Sequence, residues 1–304
     1  MKLRNMEHVY DCMKRSMGKE MEPITTGFKF LDETIGGYYP GEVTTIGGWM
    51  DSGRSAFIIM QALHTALELN IPTLLIRGAM GIGELVASMA AYYCSIEAIN
   101  ILTILRSPLY QERIDEFLHK LEKAPLYISS VDSAEKYFRL VEKAVDEKGV
   151  KIVFRDDIDD IIGDHLSYWC KQKELATKLN IPIVCSLFCS YSTDYPRKKR
   201  YFLSDFPKHV ADVVLGFFDY EQHGLIEDER GNDLRQMLQI DILKTKGTTG
   251  RQSVRIKKKD LYLRNYTKEL QKRTLESLLI KTDVNVENMM KKFDLEMVDE
   301  EMIY

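Results

Sequence analysis

Short apolar runs alternate with longer helical stretches through most of the chain after Ile24. The runs have the length of strands, and apolar residues recur at helical spacing between them. This alternation indicates a parallel sheet with helical crossovers. We therefore predict an α/β fold whose strands and helices lie at residues 43–46, 56–69, 73–76, 83–93, 126–128, 133–147, 152–154, 165–179 and 181–187.

The carboxyl-terminal part of the chain has a different pattern. Apolar runs at residues 213–218, 236–243 and 253–257 follow one another without helices, as an antiparallel extension of the sheet would. Residues 267–304 are predicted to be a helical extension, with helices at 268–279 and 286–297.

We predict an amphipathic helix in the amino-terminal residues 1–22, because Met6, Val9, Met13 and Met17 recur at helical spacing. Its apolar stripe packs either on its own domain or on a neighbouring subunit. No repeat or low-complexity linker interrupts residues 23–266, which are predicted to form the main domain.

Composition narrows the functional classes. With a formal net charge of -4, the chain has no overall basic excess, so nucleic-acid contact requires a local patch. The five cysteines form no CxxC pair, which favours reduced thiols over a zinc site. No apolar run is long enough for a membrane span, and the first thirty residues have no apolar signal core, so we expect a cytoplasmic protein without a membrane partner.

A glycine-containing loop at residues 48–55, the 48–55 loop, lies between a predicted strand and a predicted helix. Glycines in this context let backbone N–H groups surround phosphate oxygens, and the final hydroxyl can ligate a metal ion. The candidate cofactor-binding residues are Gly48, Asp51, Ser52, Gly53, Arg54 and Ser55.

Two residues weaken the match to a P-loop. Arg54 stands where lysine normally reaches the outer phosphates, and its planar fork is no simple replacement for an ammonium group. Asp51 adds a negative charge inside an anion-binding loop. The alternative is a glycine-rich turn that binds nothing.

Six stretches outside the loop occur in a recognisable order, at residues 24–32, 36–42, 75–80, 173–184, 211–215 and 244–250. Together they resemble the RecA-like motor domain of DnaB-type replicative helicases. RadA-like and KaiC-like ATPases, which share the loop and the sheet, are the second family considered. The resemblance implies a RecA-like P-loop NTPase fold, ATP or ADP with Mg²⁺ as cofactor, a ring-like homo-oligomer (a hexamer) and single-stranded DNA as a possible partner.

The family's catalytic positions are altered in this chain. The resemblance places the catalytic glutamate at Ala79, which has no carboxylate. It places the Walker B aspartate after the strand at 152–154, where Asp156 is the first candidate and Asp157 the second. Asp156 and Ser55 would then be the Mg²⁺ ligands. The acidic cluster at 156–160 can also be simply a charged loop.

The resemblance places the glutamine of the family's Ser-Gln-Leu element at Leu187, so the γ-phosphate sensor would be lost. It also places the lysine and the arginine finger that reach a neighbouring subunit's nucleotide at Lys244 and Lys246. The alternative for these two lysines is an exposed pair at the end of a strand.

The family's DNA-contacting loop is shortened here, at residues 204–212. Upstream of it lies the clearest basic and aromatic patch of the chain, which suits a phosphate backbone. A solvated charged loop is the alternative. The candidate nucleic-acid residues are Arg197, Lys198, Lys199 and Arg200.

Two functions are consistent with these features. One is a DnaB-type, ATP-dependent DNA helicase that works as a ring. The other is a non-catalytic relative that keeps the fold and a nucleotide, and serves as an assembly subunit in replication or mobile-element maintenance. The altered residues at Arg54, Ala79 and Leu187 favour weakened or lost hydrolysis.

Overall fold

A computed structural model describes residues 22–50, 52–77, 82–94, 108, 110–156, 165–189, 209–245 and 252–257. The chain divides into two compact units, Met1–Tyr262 and Leu263–Tyr304, and the described residues all belong to the first. Within these ranges, no helix has both the length and the apolar character needed to cross a membrane.

The described strands form one mixed sheet. Its order is β3-β2-β4-β5-β1-β6-β7-β8; the first six strands in this order are parallel, and β7 and β8 are antiparallel to their neighbours. The strands are β1 (Val43–Gly48), β2 (Thr73–Ile76), β3 (Leu126–Ser129), β4 (Ile152–Arg155), β5 (Ile183–Phe188), β6 (Val213–Asp219), β7 (Met237–Lys244) and β8 (Gln252–Lys257).

The described α-helices are α1 (Lys29–Ile35), α2 (Arg54–Leu63), α3 (Ile82–Tyr93), α4 (Gln111–Lys123), α5 (Ala134–Lys148) and α6 (His165–Leu179). Helix α2 continues into a π-helical turn, His64–Glu68, and a short 3-10 helix, Glu221–His223, follows β6. Helix α5 has clear end signals: the Ser133 side chain accepts a hydrogen bond from the Lys136 N–H, and Gly149 ends the helix in the left-handed conformation.

Helices cover both faces of the sheet, as two neighbouring residues at the end of β4 show. Arg155 contacts Tyr137 of α5 and Tyr168 of α6, whereas Asp156 contacts Ser55 of α2. Successive residues of an extended segment point to opposite faces, so α2 lies on one face and α5 and α6 lie on the other. This arrangement explains why every residue of β1 and β4 is buried.

The α5 and α6 face contains a buried cation. The Arg155 guanidinium lies 4.3 Å from the centre of the Tyr137 ring and donates a hydrogen bond to the Tyr168 hydroxyl. Planar guanidinium groups stack well on aromatic rings because they are weakly hydrated. Burial raises the pKa of the nearby Cys185 thiol to about 12, although Arg155 acts in the opposite direction, so this thiol stays protonated at neutral pH.

The predicted fold class is confirmed. The sheet is mostly parallel, β7 and β8 extend it in the antiparallel sense, and the predicted strands and helices are present wherever the structure describes them. Helices α1 and α4 were not predicted. Helix α1 is short and lacks a side-chain cap, and α4 buries little apolar surface, chiefly Ile114 and Phe117. The helices predicted at 2–20, 268–279 and 286–297 lie outside the described residues, so the division at 22 and 266 stays a prediction.

A carboxylate ties the amino-terminal ends of β1 and β6 to the middle of α6. Asp212 Oδ2 accepts hydrogen bonds from the Val43 N–H at 2.9 Å and from Lys173 Nζ at 2.6 Å. Lys173 also donates to the Gly41 carbonyl at 2.8 Å. These charge-assisted bonds fix the entry into β1, which leads to the 48–55 loop.

We expect Asp212→Ala to lower the free energy of unfolding by about 1.5–3 kcal/mol, because it removes hydrogen bonds to a charged, mostly buried group. Urea denaturation monitored by circular dichroism measures the change. Asp233→Ala is the matched control, since Asp233 pairs with Arg235 on the surface, and it should leave the midpoint unchanged. Equal midpoints for both variants would contradict a special role for Asp212.

Candidate functional site

The 48–55 loop leaves the carboxyl end of β1 and enters α2. Because β1 pairs in parallel with β5 and β6, Gly48 lies beside Phe188 and Phe217 at one edge of the sheet. Open α/β sheets bind ligands at the carboxyl edge of their parallel strands. The loop therefore has the location that the sequence predicted for it.

Two glycines shape the loop. Gly53 adopts a left-handed conformation with φ of 85° immediately before α2, which disfavours residues with a side chain. At Gly48, an added Cβ would lie 2.4 Å from Ser52 Oγ and 2.9 Å from the Phe217 carbonyl oxygen. The loop thus folds back closely onto β6, and only glycine fits at its start.

The loop offers hydrogen-bond donors to an anion. The amino terminus of α2 begins at Arg54, and the first N–H groups of a helix have no partner within the helix. The Ser52 hydroxyl is buried, and it has no hydrogen-bond partner among the described residues. A buried polar group without a partner is costly unless a ligand or water satisfies it. These residues fit the phosphate group of a nucleotide.

Asp156 is the carboxylate at the site, and it is fully buried. Its Oδ1 accepts hydrogen bonds from Ser55 Oγ at 3.1 Å and from Ser186 Oγ at 2.5 Å. Its N–H donates to the Ile76 carbonyl at 2.9 Å, which holds the end of β4 against β2. The structure therefore brings the two predicted Mg²⁺ ligands, Ser55 and Asp156, into contact.

Arg77 occupies the other side of the same carboxylate. Its Nε lies 3.4 Å from Asp156 Oδ2, an ion pair rather than a hydrogen bond. The side chain of Arg77 is 14% exposed and that of Asp156 is 0% exposed, so the pair is largely shielded from water. Oδ1 thus accepts two hydrogen bonds, whereas Oδ2 accepts none among the described residues and faces the Arg77 guanidinium. A metal ion at Oδ2 would lie beside this guanidinium, so the residues present are a poor fit for a metal ion. Among the described residues, no group of three or more His, Cys, Asp or Glu side chains is placed to hold a metal.

Arg54 packs against aromatic rings. It is only 7% exposed, and its guanidinium carbon lies 6.0 Å from the centre of the Phe188 ring. Phe188 in turn lies against Trp49, with 5.1 Å between ring centres. An aromatic ring stabilises a nearby cation but offers it no hydrogen-bond acceptor. The loop's basic residue is therefore partly covered by Phe188.

Strand alternation changes the interpretation of Leu187. Ser186 points towards Asp156, so Leu187 points to the opposite face, where it is buried in the hydrophobic core beside Cys185. The side chain on the loop side at this end of β5 is Phe188. Neither Leu187 nor Phe188 has a polar group that could contact a phosphate. The residue that faces Arg54 is Phe188 and not Leu187.

Lys244 lies away from the loop of its own chain. In the β6–β7 pairing it is opposite Val214, and its ammonium group donates a hydrogen bond to the Ala211 carbonyl. The neighbour of Gly48 on β6 is Phe217. Phe217 lies three residues from Val214, which is about 10 Å along the strand at 3.3 Å per residue. The structure does not bring Lys244 and the 48–55 loop together within one subunit.

Several predicted site residues lie outside the described part of the chain. They are Asp51, Ala79, Asp157, Lys246 and the basic patch Arg197, Lys198, Lys199 and Arg200. Their roles stay predictions.

Sequence reasoning missed three residues at the site: Arg77, Ser186 and Phe188. Arg77 follows β2, Phe188 ends β5 and Ser186 is a polar residue inside β5, so a polar or bulky residue in or next to the end of an apolar strand is the signal that was available. The register Ile76↔Arg155 places Arg77 beside Asp156, and β5 lies on the other side of β4. The sequence does not specify which strands are neighbours, and this adjacency is what assembles the site.

A family model and the curated relatives of this chain all indicate the same family. The family model described as DnaB-like helicase C terminal domain matches residues 23–261. One curated relative, the replicative DNA helicase DnaB of Treponema pallidum, is 28% identical over 173 residues, which cover 53% of this chain and 39% of the relative. The corresponding helicase of Geobacillus stearothermophilus is 24% identical over 236 residues, covering 68% and 51%. The match thus spans about half or less of each relative.

Solved structures share the fold. A DnaB-like replicative helicase, whose structure was described with its interactions with primase, superposes with a TM-score of 0.67 at 16% identity over 83% of this chain and 64% of that chain. The ATPase domain of G40P superposes with a TM-score of 0.68 at 16% identity over 84% and 95%. These matches confirm the RecA-like fold predicted from the sequence.

We expect Gly48→Ala to destabilise the protein by about 1–3 kcal/mol, because the new methyl group would collide with Ser52 and with the β6 backbone. Chemical denaturation gives the free energy. Gly83→Ala is the control, since a Cβ at Gly83, on α3, would have no neighbour within 4 Å; alanine there should be neutral or slightly stabilising. A wild-type midpoint for Gly48→Ala would show that the loop can relax.

Proposed function

This chain belongs to the family of DnaB-like helicase C-terminal domains, and we propose that it binds a nucleotide at the 48–55 loop while its ATP hydrolysis is weakened or lost. The ligand class is ATP or ADP. The proposed binding residues are Gly48, Asp51, Ser52, Gly53, Arg54 and Ser55.

The observation that carries the binding proposal is the buried, unpartnered hydroxyl of Ser52 next to the amino terminus of α2. A phosphate oxygen would satisfy both that hydroxyl and the first N–H groups of the helix. The left-handed Gly53 lets the backbone turn into the helix at this point. Without a ligand, the Ser52 hydroxyl would stay buried with no hydrogen-bond partner among the described residues.

The proposal of weakened hydrolysis depends on the groups that would act on the γ-phosphate. Phosphoryl transfer to water needs a group that orients the water, a metal clamp and a cation that stabilises the transition state. Ala79 has no carboxylate for the first task. The carboxylate of Asp156 is already engaged by two serines and Arg77. The finger positions, Lys244 and Lys246, lack the bidentate fork of arginine.

The assembly and its partners are part of the same proposal. Lys244 lies away from its own loop, so a finger role for Lys244 and Lys246 requires a neighbouring subunit, as in a ring-like homo-oligomer such as a hexamer. The basic residues at 197–200 are the proposed contact with single-stranded DNA. The two curated relatives are both named replicative DNA helicases, so the process that we propose for this chain is DNA replication.

A second candidate function is a non-catalytic assembly subunit in a replication or mobile-element complex. It is favoured by the cover that Phe188 forms over Arg54, because an arginine that is stacked on a ring is poorly placed for turnover. An active, DNA-stimulated helicase requires sustained ATP hydrolysis, so the rate of hydrolysis separates the two functions.

We expect ATP or ADP to raise the melting temperature of the protein. At a concentration about 100 times Kd the stabilisation is about 2.7 kcal/mol, equivalent to about 5–10 °C for a domain of this size. Differential scanning fluorimetry measures the shift. Ser52→Ala should reduce it, whereas Ser88→Ala, which removes a serine hydroxyl on α3 that bonds the Glu84 carbonyl, should not. No shift at millimolar nucleotide would refute nucleotide binding.

We expect the wild-type protein to hydrolyse ATP far more slowly than a DnaB-type helicase assayed in parallel, with or without single-stranded DNA. Arg54→Lys combined with Ala79→Glu and with Arg77→Ser, which removes the cation beside Asp156, should raise the rate by about 10²–10⁴-fold, the usual contribution of a positioned acid or base. The same combination with Ala79→Gln in place of Ala79→Glu is the control, because glutamine has a similar shape but no carboxylate. Robust DNA-stimulated turnover by the wild type would favour the helicase function.

A further inference from the structure

We infer that the Arg77 guanidinium takes the place of the divalent cation at this site, so that the 48–55 loop binds its nucleotide in the metal-free form. This inference rests on the proposed nucleotide binding and specifies the ionic form of the ligand. It replaces the Mg²⁺ ion that the sequence predicted between Ser55 and Asp156.

Other side chains already surround the carboxylate of Asp156. Ser55 and Ser186 donate to Oδ1, and Arg77 neutralises Oδ2 at 3.4 Å. A magnesium ion requires oxygen ligands at short distance in octahedral geometry, and it keeps several of its waters. It would have to displace Arg77 from a carboxylate that is completely buried.

Charge also opposes a metal ion here. The Arg77 guanidinium brings a positive charge of its own to this carboxylate. A divalent ion next to Asp156 would be repelled by this guanidinium at close range in a region of low dielectric constant. The net charge of the Asp156–Arg77 pair is already zero without a metal ion.

The phosphates of the ligand also require that the charge of Asp156 is balanced. Without a cation beside it, Asp156 would repel a polyphosphate, and one function of a metal ion is to remove that repulsion. Arg77 removes it permanently, because the register Ile76↔Arg155 places it beside Asp156. The positive ends of the N–H dipoles in α2 and the Arg54 charge then suffice to attract the anion.

The test compares ATP-induced shifts in melting temperature in excess Mg²⁺ and in excess EDTA. For the wild type we expect equal shifts in both buffers and no stabilisation by Mg²⁺ alone. For Arg77→Ser we expect a lower melting temperature in EDTA, a rise of several degrees on adding Mg²⁺ alone, and an ATP shift that requires Mg²⁺. Arg235→Ser is the control, since Arg235 also pairs with a carboxylate but on the surface; it should behave as the wild type.

The outcomes separate the inference from the proposed function. A wild-type ATP shift that appears only with Mg²⁺ overturns the inference and leaves nucleotide binding intact, and so does stabilisation of the wild type by Mg²⁺ alone. The absence of any ATP shift in either buffer overturns both. If Arg77→Ser does not fold, the two wild-type measurements still decide the question.

Discussion

The carboxylate of Asp156 has no contact with water, and a buried negative charge must be matched by donors and cations around it. Three separate elements supply that match. The carboxylate follows strand β4, and β5 contributes Ser186, α2 contributes Ser55 and the end of β2 contributes Arg77. The hydrogen bond from Ser55 ties the first turn of α2 to the sheet, so the shape of the 48–55 loop depends on the same charge balance.

Much of the fold was accessible from the sequence. The strand at 73–76 and the helix at 165–179 were predicted with the bounds that the structure gives, because the strand is a short apolar run directly after Pro72 and the helix ends just before Asn180, which adopts a positive φ of 53°. The antiparallel extension followed from three apolar runs without helices. The loop at 48–55 was predictable because its glycines, its serine and its position between strand and helix are a local signal.

The remainder of the site depends on tertiary adjacency. The contact between Arg77 and Asp156 exists because β2 and β4 are neighbours, although 79 residues of sequence separate the two side chains. The orientation of Leu187 and Phe188 depends on which face of β5 meets α2, and the sequence alone left that choice open. Residues that are far apart in the sequence, Arg54, Arg77 and Phe188, lie at the same carboxyl edge of the sheet.

The position of Lys244 has a consequence for how copies of this chain could cooperate. Its ammonium group is held at the end of the sheet opposite to the 48–55 loop. A contact that joins the two features must therefore be head-to-tail, with different surfaces of the two copies facing each other. In an open row of copies one loop is always left without a partner lysine, whereas closure into a ring completes every loop at once. Any function that needs a complete composite site in every copy would therefore favour closure.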